Sequence, residues 1–192
     1  PAIGIAGYNE GGLIAFYTAA IDQRVQATLV SGYFTERNKV WSEPIYRNVF
    51  GLLEQFGDAE IASLISPRTL IIEHSSVKQI DSPPTIRPGR RGGAAPGILT
   101  TPSSSLVKAE FRRATDLGAP GNSIHLLTGS TGDKETLPVE EFCDAPTTRS
   151  FLQELKVSLK DKVLPIVLPA HQLHAIPPSG RQQRQVQQLV DY

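Results

Sequence analysis

Ile3-Gly4-Ile5-Ala6-Gly7-Tyr8-Asn9-Glu10-Gly11-Gly12-Leu13-Ile14 decides how the rest of the chain is read. A short apolar run breaks into a glycine-flanked turn and then resumes with helical periodicity, the pattern of a strand, a sharp corner and a helix. Such a corner forces its central residue towards positive φ, which glycine, and more rarely Asn or Asp, accepts at low cost. Asn9 holds that centre. The flanking glycines let strand and helix approach closely and leave the apex side chain exposed above the sheet. Two other glycine-loop motifs are excluded by spacing. A dinucleotide fingerprint needs G-x-G-x-x-G and a phosphate loop needs Lys-Ser/Thr after its last glycine. This chain has Gly4, Gly7, then Gly11-Gly12-Leu13, which fits neither.

The spacing Gly7-x-Asn9-x-Gly11 is that of the nucleophile elbow, G-x-S-x-G, with Asn where Ser would stand. Here the sequence resembles the α/β-hydrolase superfamily, most nearly its dienelactone hydrolase and acetyl xylan esterase-like branch, over about Ile3 to Val157. The resemblance implies an α/β three-layer sandwich on a mostly parallel sheet, of which this chain supplies the C-terminal half. It also implies a carboxylic ester hydrolase acting on a small-molecule or carbohydrate ester, without a cofactor or metal. The elbow would follow the fifth strand of such a sheet, so the earlier strands and the second oxyanion donor would lie upstream. Asn9 then occupies the nucleophile position, and the backbone N–H of Glu10 is the oxyanion donor this chain provides.

A carboxamide has no proton whose removal makes a nucleophile. The alternative reading is therefore a pseudoenzyme, a hydrolase-type domain that binds a ligand, a glycan or a neighbouring domain without turnover.

Composition bounds the remaining options. With 192 residues, 40% apolar and 20% charged, the chain suits one globular domain with a sizeable core. Nineteen basic residues balance nineteen acidic ones, which leaves no electrostatic footprint for nucleic acid or an anionic membrane surface. No apolar run approaches membrane-spanning length. The single cysteine, Cys143, excludes an intrachain disulfide and reads as a small buried hydrophobe. Pro1 stands just before the first strand and the chain contains no methionine, which reads as a piece of a longer polypeptide.

Beyond the corner, Leu13, Phe16, Tyr17 and Ala20 mark a helix with one wide apolar face, and Val25 to Ser31 reads as a buried strand closed by Gly32. Tyr33 and Trp41 lie in the loop that follows, at the carboxyl end of a strand, where with Tyr8 they can line a ligand crevice. Pro44 to Phe56 carries Ile45, Val49, Leu52, Leu53 and Phe56 at helical intervals, and Asp58 can cap a further helix to Ile65. Thr69 to His74 reads as a strand. Its end offers Glu73 or Asp81 for the acid position of a triad. The competing reading of Glu73 is a strand-end carboxylate partnered by Arg68 or solvent. His74 should point away from Glu73, since strand side chains alternate.

Residues 76–105 are rich in proline, glycine and arginine (Arg87, Arg90, Arg91) and read as a disordered or lid loop. Leu106 to Leu117 restores helical spacing, ended by Gly118, and Ser123 to Thr128 reads as the last strand. The resemblance would place a catalytic histidine in the loop after it, yet Gly129 to Lys134 contains none. His125 lies within the strand, as a hydrogen-bonded structural residue. A covering helix falls between Pro138 and Val157. From 158 to 192 the proline-broken chain reads as a connector and the start of a further segment, in which His171 and His174 lack companions for a metal site.

Overall fold

The computed structural model describes residues 2–81, 86–89, 91, 97–129, 137–140, 142–157 and 187. The chain divides into two compact units, Pro1–Leu159 and Lys160–Tyr192. Of the second, only Gln187 is described, so the expected connector and its two histidines lie outside the described residues.

The first unit alternates strand and helix: β1 (Ile3–Tyr8), α1 (Glu10–Ile21), β2 (Val25–Ser31), α2 (Asp58–Ile65), β3 (Thr69–His74), α3 (Ser104–Leu117), β4 (Ile124–Thr128) and α4 (Ala145–Glu154). The four strands form one parallel sheet in the order β1-β2-β3-β4. Parallel neighbours need a crossover, and each here is built around a helix. α1 packs on β1, β2 and α2, while α2 packs on α3, which gives one helical layer; α4 lies against β2 and β3. Alternation along the strands assigns α4 to the opposite face, so the architecture is an α/β three-layer sandwich.

Each face has its own apolar set. Val30, Leu70 and Ile72 are buried in one cluster with Phe16 and Ala19 of α1, Ile61 and Ile65 of α2, and Val107 and Ala114 of α3. Leu29 and Ile71 alternate to the α4 side, also fully buried. Gly4 faces α4 so closely that a Cβ there would lie 2.5 Å from Leu155 Cδ1. One register row, Tyr8-Ser31-Glu73-Leu127, runs across the carboxyl ends of all four strands and positions the polar residues discussed below.

Two features of the helical layer are set by charge. Glu110 of α3 is buried, and its Oε1 accepts the Ala59 N–H at 2.8 Å in the first turn of α2, where a negative charge complements the helix dipole. α2 is capped at Gly57, whose N–H donates to Glu60 Oε2 at 2.8 Å; Asp58 opens the helix, and its carboxylate serves elsewhere.

The helix expected over Pro44–Phe56 does not form. Two single 3₁₀ turns, Ile45–Arg47 and Leu52–Glu54, take its place, after a first one at Val40–Ser42. Asn48 is extended and Gly51 has φ 74°, which breaks the helical path. Consequently Ile45, Val49 and Leu53 of the expected stripe are exposed, whereas Leu52 and Phe56 are partly buried against the core. The expected loop over 76–105 is pinned at both described ends: Ile80 and Leu99 form a bridge, and Ile98 N–H donates to Ser42 O at 2.8 Å.

α1 is apolar nearly all round. Phe16 is fully buried, whereas Ile21 is 83% exposed. We expect Phe16→Ala to cost about 3–5 kcal/mol in denaturant unfolding, from lost burial plus the cavity left behind. Ile21→Ala should remain within about 0.5 kcal/mol of the parent.

Candidate functional site

The corner between β1 and α1 has the expected form. Asn9 adopts φ 53° and ψ −110°, a region that side chains occupy only at a cost on the order of 1–3 kcal/mol. Close approach requires Gly7, because a Cβ there would lie 1.9 Å from the carbonyl oxygen of Gly11. Gly11 itself has open space beside it, so its absence of a side chain is not a steric requirement. The Asn9 N–H donates to Ser31 O at 2.9 Å, and its carbonyl accepts the Leu13 N–H at 3.0 Å. The strained residue is thus tied to β2 and to its own helix. The N–H of Glu10 belongs to the first turn of α1, whose donors lack an intrahelical acceptor.

The side chain at the apex is already engaged. Arg47, from the middle 3₁₀ turn, donates through Nη2 to Asn9 Oδ1 at 2.6 Å and to Glu10 Oε1 at 2.7 Å. Its Nη1 donates to Glu43 at 3.0 Å. Glu43 in turn accepts from Arg37 at 3.2 Å, and Arg37 pairs with Asp58 at 2.9 Å. Charges therefore alternate from the corner into the core as Glu10, Arg47, Glu43, Arg37 and Asp58. Asp58 is fully buried and also accepts the Thr35 N–H at 3.1 Å. Burial lifts its carboxyl above the usual range, with Arg37 and the Thr35 N–H pulling the other way.

Tyr33, expected as a crevice residue, is buried and also lines a cleft beside Gly32 and Arg37. Its ring lies beneath the Arg37 guanidinium, 3.8 Å from centroid to Cζ, and burial pushes its phenol upward, with Asp58 adding to the shift. Trp41 is exposed on the first 3₁₀ turn, apart from this chain of charges. Tyr8 faces the α4 side, where it stacks on Phe142 at 4.0 Å and donates to Ser76 O at 2.8 Å.

The acid positions diverge. Glu73 is fully buried and receives Ser31 Oγ and the Cys143 N–H, the latter at 2.8 Å. Ser31 Oγ also meets Ser75 Oγ at 2.7 Å. Neither solvent nor Arg68 partners Glu73: Arg68 donates to the carbonyls of Asp22, Val25 and Leu64. Asp81 is exposed and accepts from Gln79. Cys143 is half-buried rather than fully so, with φ 52°, and burial, then Glu73 and Asp144, push its thiol up.

No imidazole joins these groups among the described residues. His74 turns to the opposite face from Glu73, with Nε2 2.8 Å from Pro102 O, and His125 meets Ser123 Oγ at 2.9 Å. A relay from apex through histidine to acid is therefore not assembled there. Nor does any group of three or more metal-ligating side chains form among the described residues. No described helix is long and apolar enough to cross a membrane.

No protein-family model, curated protein or solved structure matches this chain.

Sequence analysis assigns no role to Arg47 or Arg37. Glu43 and Arg47 stand four apart, the spacing of a helical ion pair, but they meet across a 3₁₀ turn. Asp58 looked like an ordinary cap.

Removing Arg37 would strand a buried carboxylate. Arg37→Leu should cost about 3–5 kcal/mol at neutral pH. Asp58 in that variant titrates higher when folded than unfolded, so the native state binds the extra proton. The deficit relative to the parent should shrink as pH falls from 7 towards the unfolded carboxylate range, roughly pH 4, in paired denaturation curves.

Proposed function

We propose that this chain is a hydrolase-type α/β domain that retains the elbow as a structural corner and binds without turning over. The supporting observation is the Asn9 side chain itself: it sits on the strained elbow backbone, yet its carboxamide oxygen accepts a 2.6 Å hydrogen bond from Arg47. The amide offers no proton whose removal makes a nucleophile, and the group bonded to it is a guanidinium, which cannot act as a base.

Its partners follow from the surfaces left open. The outer edge of β1 carries backbone donors and acceptors that no described strand satisfies, and beside it Ile14 and Ile21 of α1 are exposed. An edge of this kind calls for cover. The other half of an α/β-hydrolase sheet, or a neighbouring domain, would provide it.

A second reading keeps esterase chemistry, on a small or carbohydrate ester. It is favoured by the elbow angles at Asn9, since that conformation is costly to maintain without a purpose, and by the Glu10 N–H at the start of α1.

Hydrolysis of p-nitrophenyl acetate separates the two. With the parent chain and with Asn9→Ser we expect release no faster than the buffer blank. Turnover by the parent that disappears in Asn9→Ala would establish the esterase reading instead.

A further inference from the structure

β1 and α1 are both built as interior elements. β1 carries no charge and no proline, and it pairs with β2 in unbroken register from Gly4 to Tyr8. Strands left at a sheet edge ordinarily carry a lysine, a proline or a bulge that blocks further pairing, whereas uninterrupted apolar strands belong inside a parallel sheet. α1 has no charged residue after Glu10, and a helix apolar all round is normally buried. Yet Ile3, Ile14 and Ile21 are exposed, and no described strand pairs with the outer edge of β1. The opposite edge of the sheet differs, since β4 is half-buried apart from His125.

A third element extends this face. Tyr46 Oη donates to Glu10 Oε1 at 2.8 Å and so seats the Ile45–Arg47 turn against the first turn of α1. Ile14 and Ile21 follow Glu10 by four and eleven residues, which puts all three on one stripe of the helix. Ile45, Tyr46 and Phe50 are exposed on the added segment. Its one charged residue between Ile45 and Phe50, Arg47, is turned inward to Glu10 and Glu43. What faces outward is therefore uncharged.

Size and charge select the occupant. Ile3, Ile14, Ile21, Ile45, Tyr46 and Phe50 are between 47% and 102% exposed, and at about 150 Å² for a whole side chain they hold on the order of 600 Å². A standard interface takes about 800 Å² from each partner, and the open backbone of β1 adds to the six. An uncharged face meets its own copy without like-charge repulsion. Nor does net charge keep copies apart, since nineteen basic residues balance nineteen acidic ones.

We propose that a second copy of this chain covers this face, the two β1 strands pairing antiparallel about a two-fold axis normal to the sheet. The axis joins the two four-stranded sheets into one and keeps both α1 helices on the same side, lying antiparallel. Each Ile45–Phe50 segment, at the carboxyl end of its own β1, then meets the Ile21 end of the other copy's α1. Such an isologous contact closes on itself, so association stops at the dimer. The pairing goes beyond the non-catalytic reading and does not depend on it.

The test is sedimentation velocity of the full 192-residue chain, with amide hydrogen exchange as a second readout. A dimer should predominate at about 50 µM, since interfaces of this size hold at micromolar affinity or tighter. The outward amides of β1 should exchange more slowly at that concentration than after dilution by about a hundredfold. Ile21→Lys and Phe50→Asp should each weaken dimerisation at least about tenfold, by setting an unpaired charge in an apolar contact. Both positions are exposed, so each variant should keep the parent's circular dichroism. A monomer at the higher concentration, assembly beyond the dimer, exchange in β1 that ignores concentration, or a dimer untouched by Ile21→Lys would each overturn the proposal. So would a monomer that floats with phosphatidylcholine vesicles, which would give the face to lipid. Ester turnover is read separately by p-nitrophenol release, so failure of the non-catalytic reading and failure of this one give different results.

Discussion

The turn at Asn9 is the constraint on which the rest of the unit depends. β1 can hand over to α1 in a single residue only if that residue takes a positive φ and if Gly7 lets the first turn of the helix press onto the strand. Both conditions are costly in isolation. They are met because the Asn9 N–H is anchored on β2, its carbonyl on α1 and its side chain on Arg47. The same anchorage fixes the register row Tyr8-Ser31-Glu73, and so determines where the polar groups of the sheet's carboxyl edge stand.

From that corner two polar systems diverge on opposite faces. On the α1 side, alternating charges run inwards until Asp58, which is buried and ionically paired. Such a chain contributes little net stability over an apolar equivalent, but breaking it at one point leaves a charge without a partner. On the α4 side, Glu73 is held by Ser31 and the Cys143 N–H beneath the start of α4. Among the described residues neither system includes an imidazole, and Arg47 donates to the apex amide.

Where sequence reading succeeded and failed follows a physical division. The four strands and the helices after the corner were legible because burial imposes a period on their apolar residues, as in Val25–Ser31 and Thr69–His74. Pro44–Phe56 carried an equally regular period yet forms no helix: Ile45, Val49 and Leu53 of that period are left exposed, and Gly51 permits the chain to turn. Glu73 was placed correctly on its strand, but its partners come from Ser31, 42 residues away, and Cys143, 70 away. No local pattern encodes such a meeting.

The amino-acid sequence alone determined the strand-corner-helix opening, the identity of its apex and the alternation that builds a parallel sheet, because each rests on backbone preferences within a few residues. Only the tertiary structure decided that Arg47 would bind the apex amide and that Asp58, expected as a cap, would instead be buried against Arg37. Those outcomes depend on desolvation and charge pairing between distant segments, and such energies exist only once the chain has closed around them.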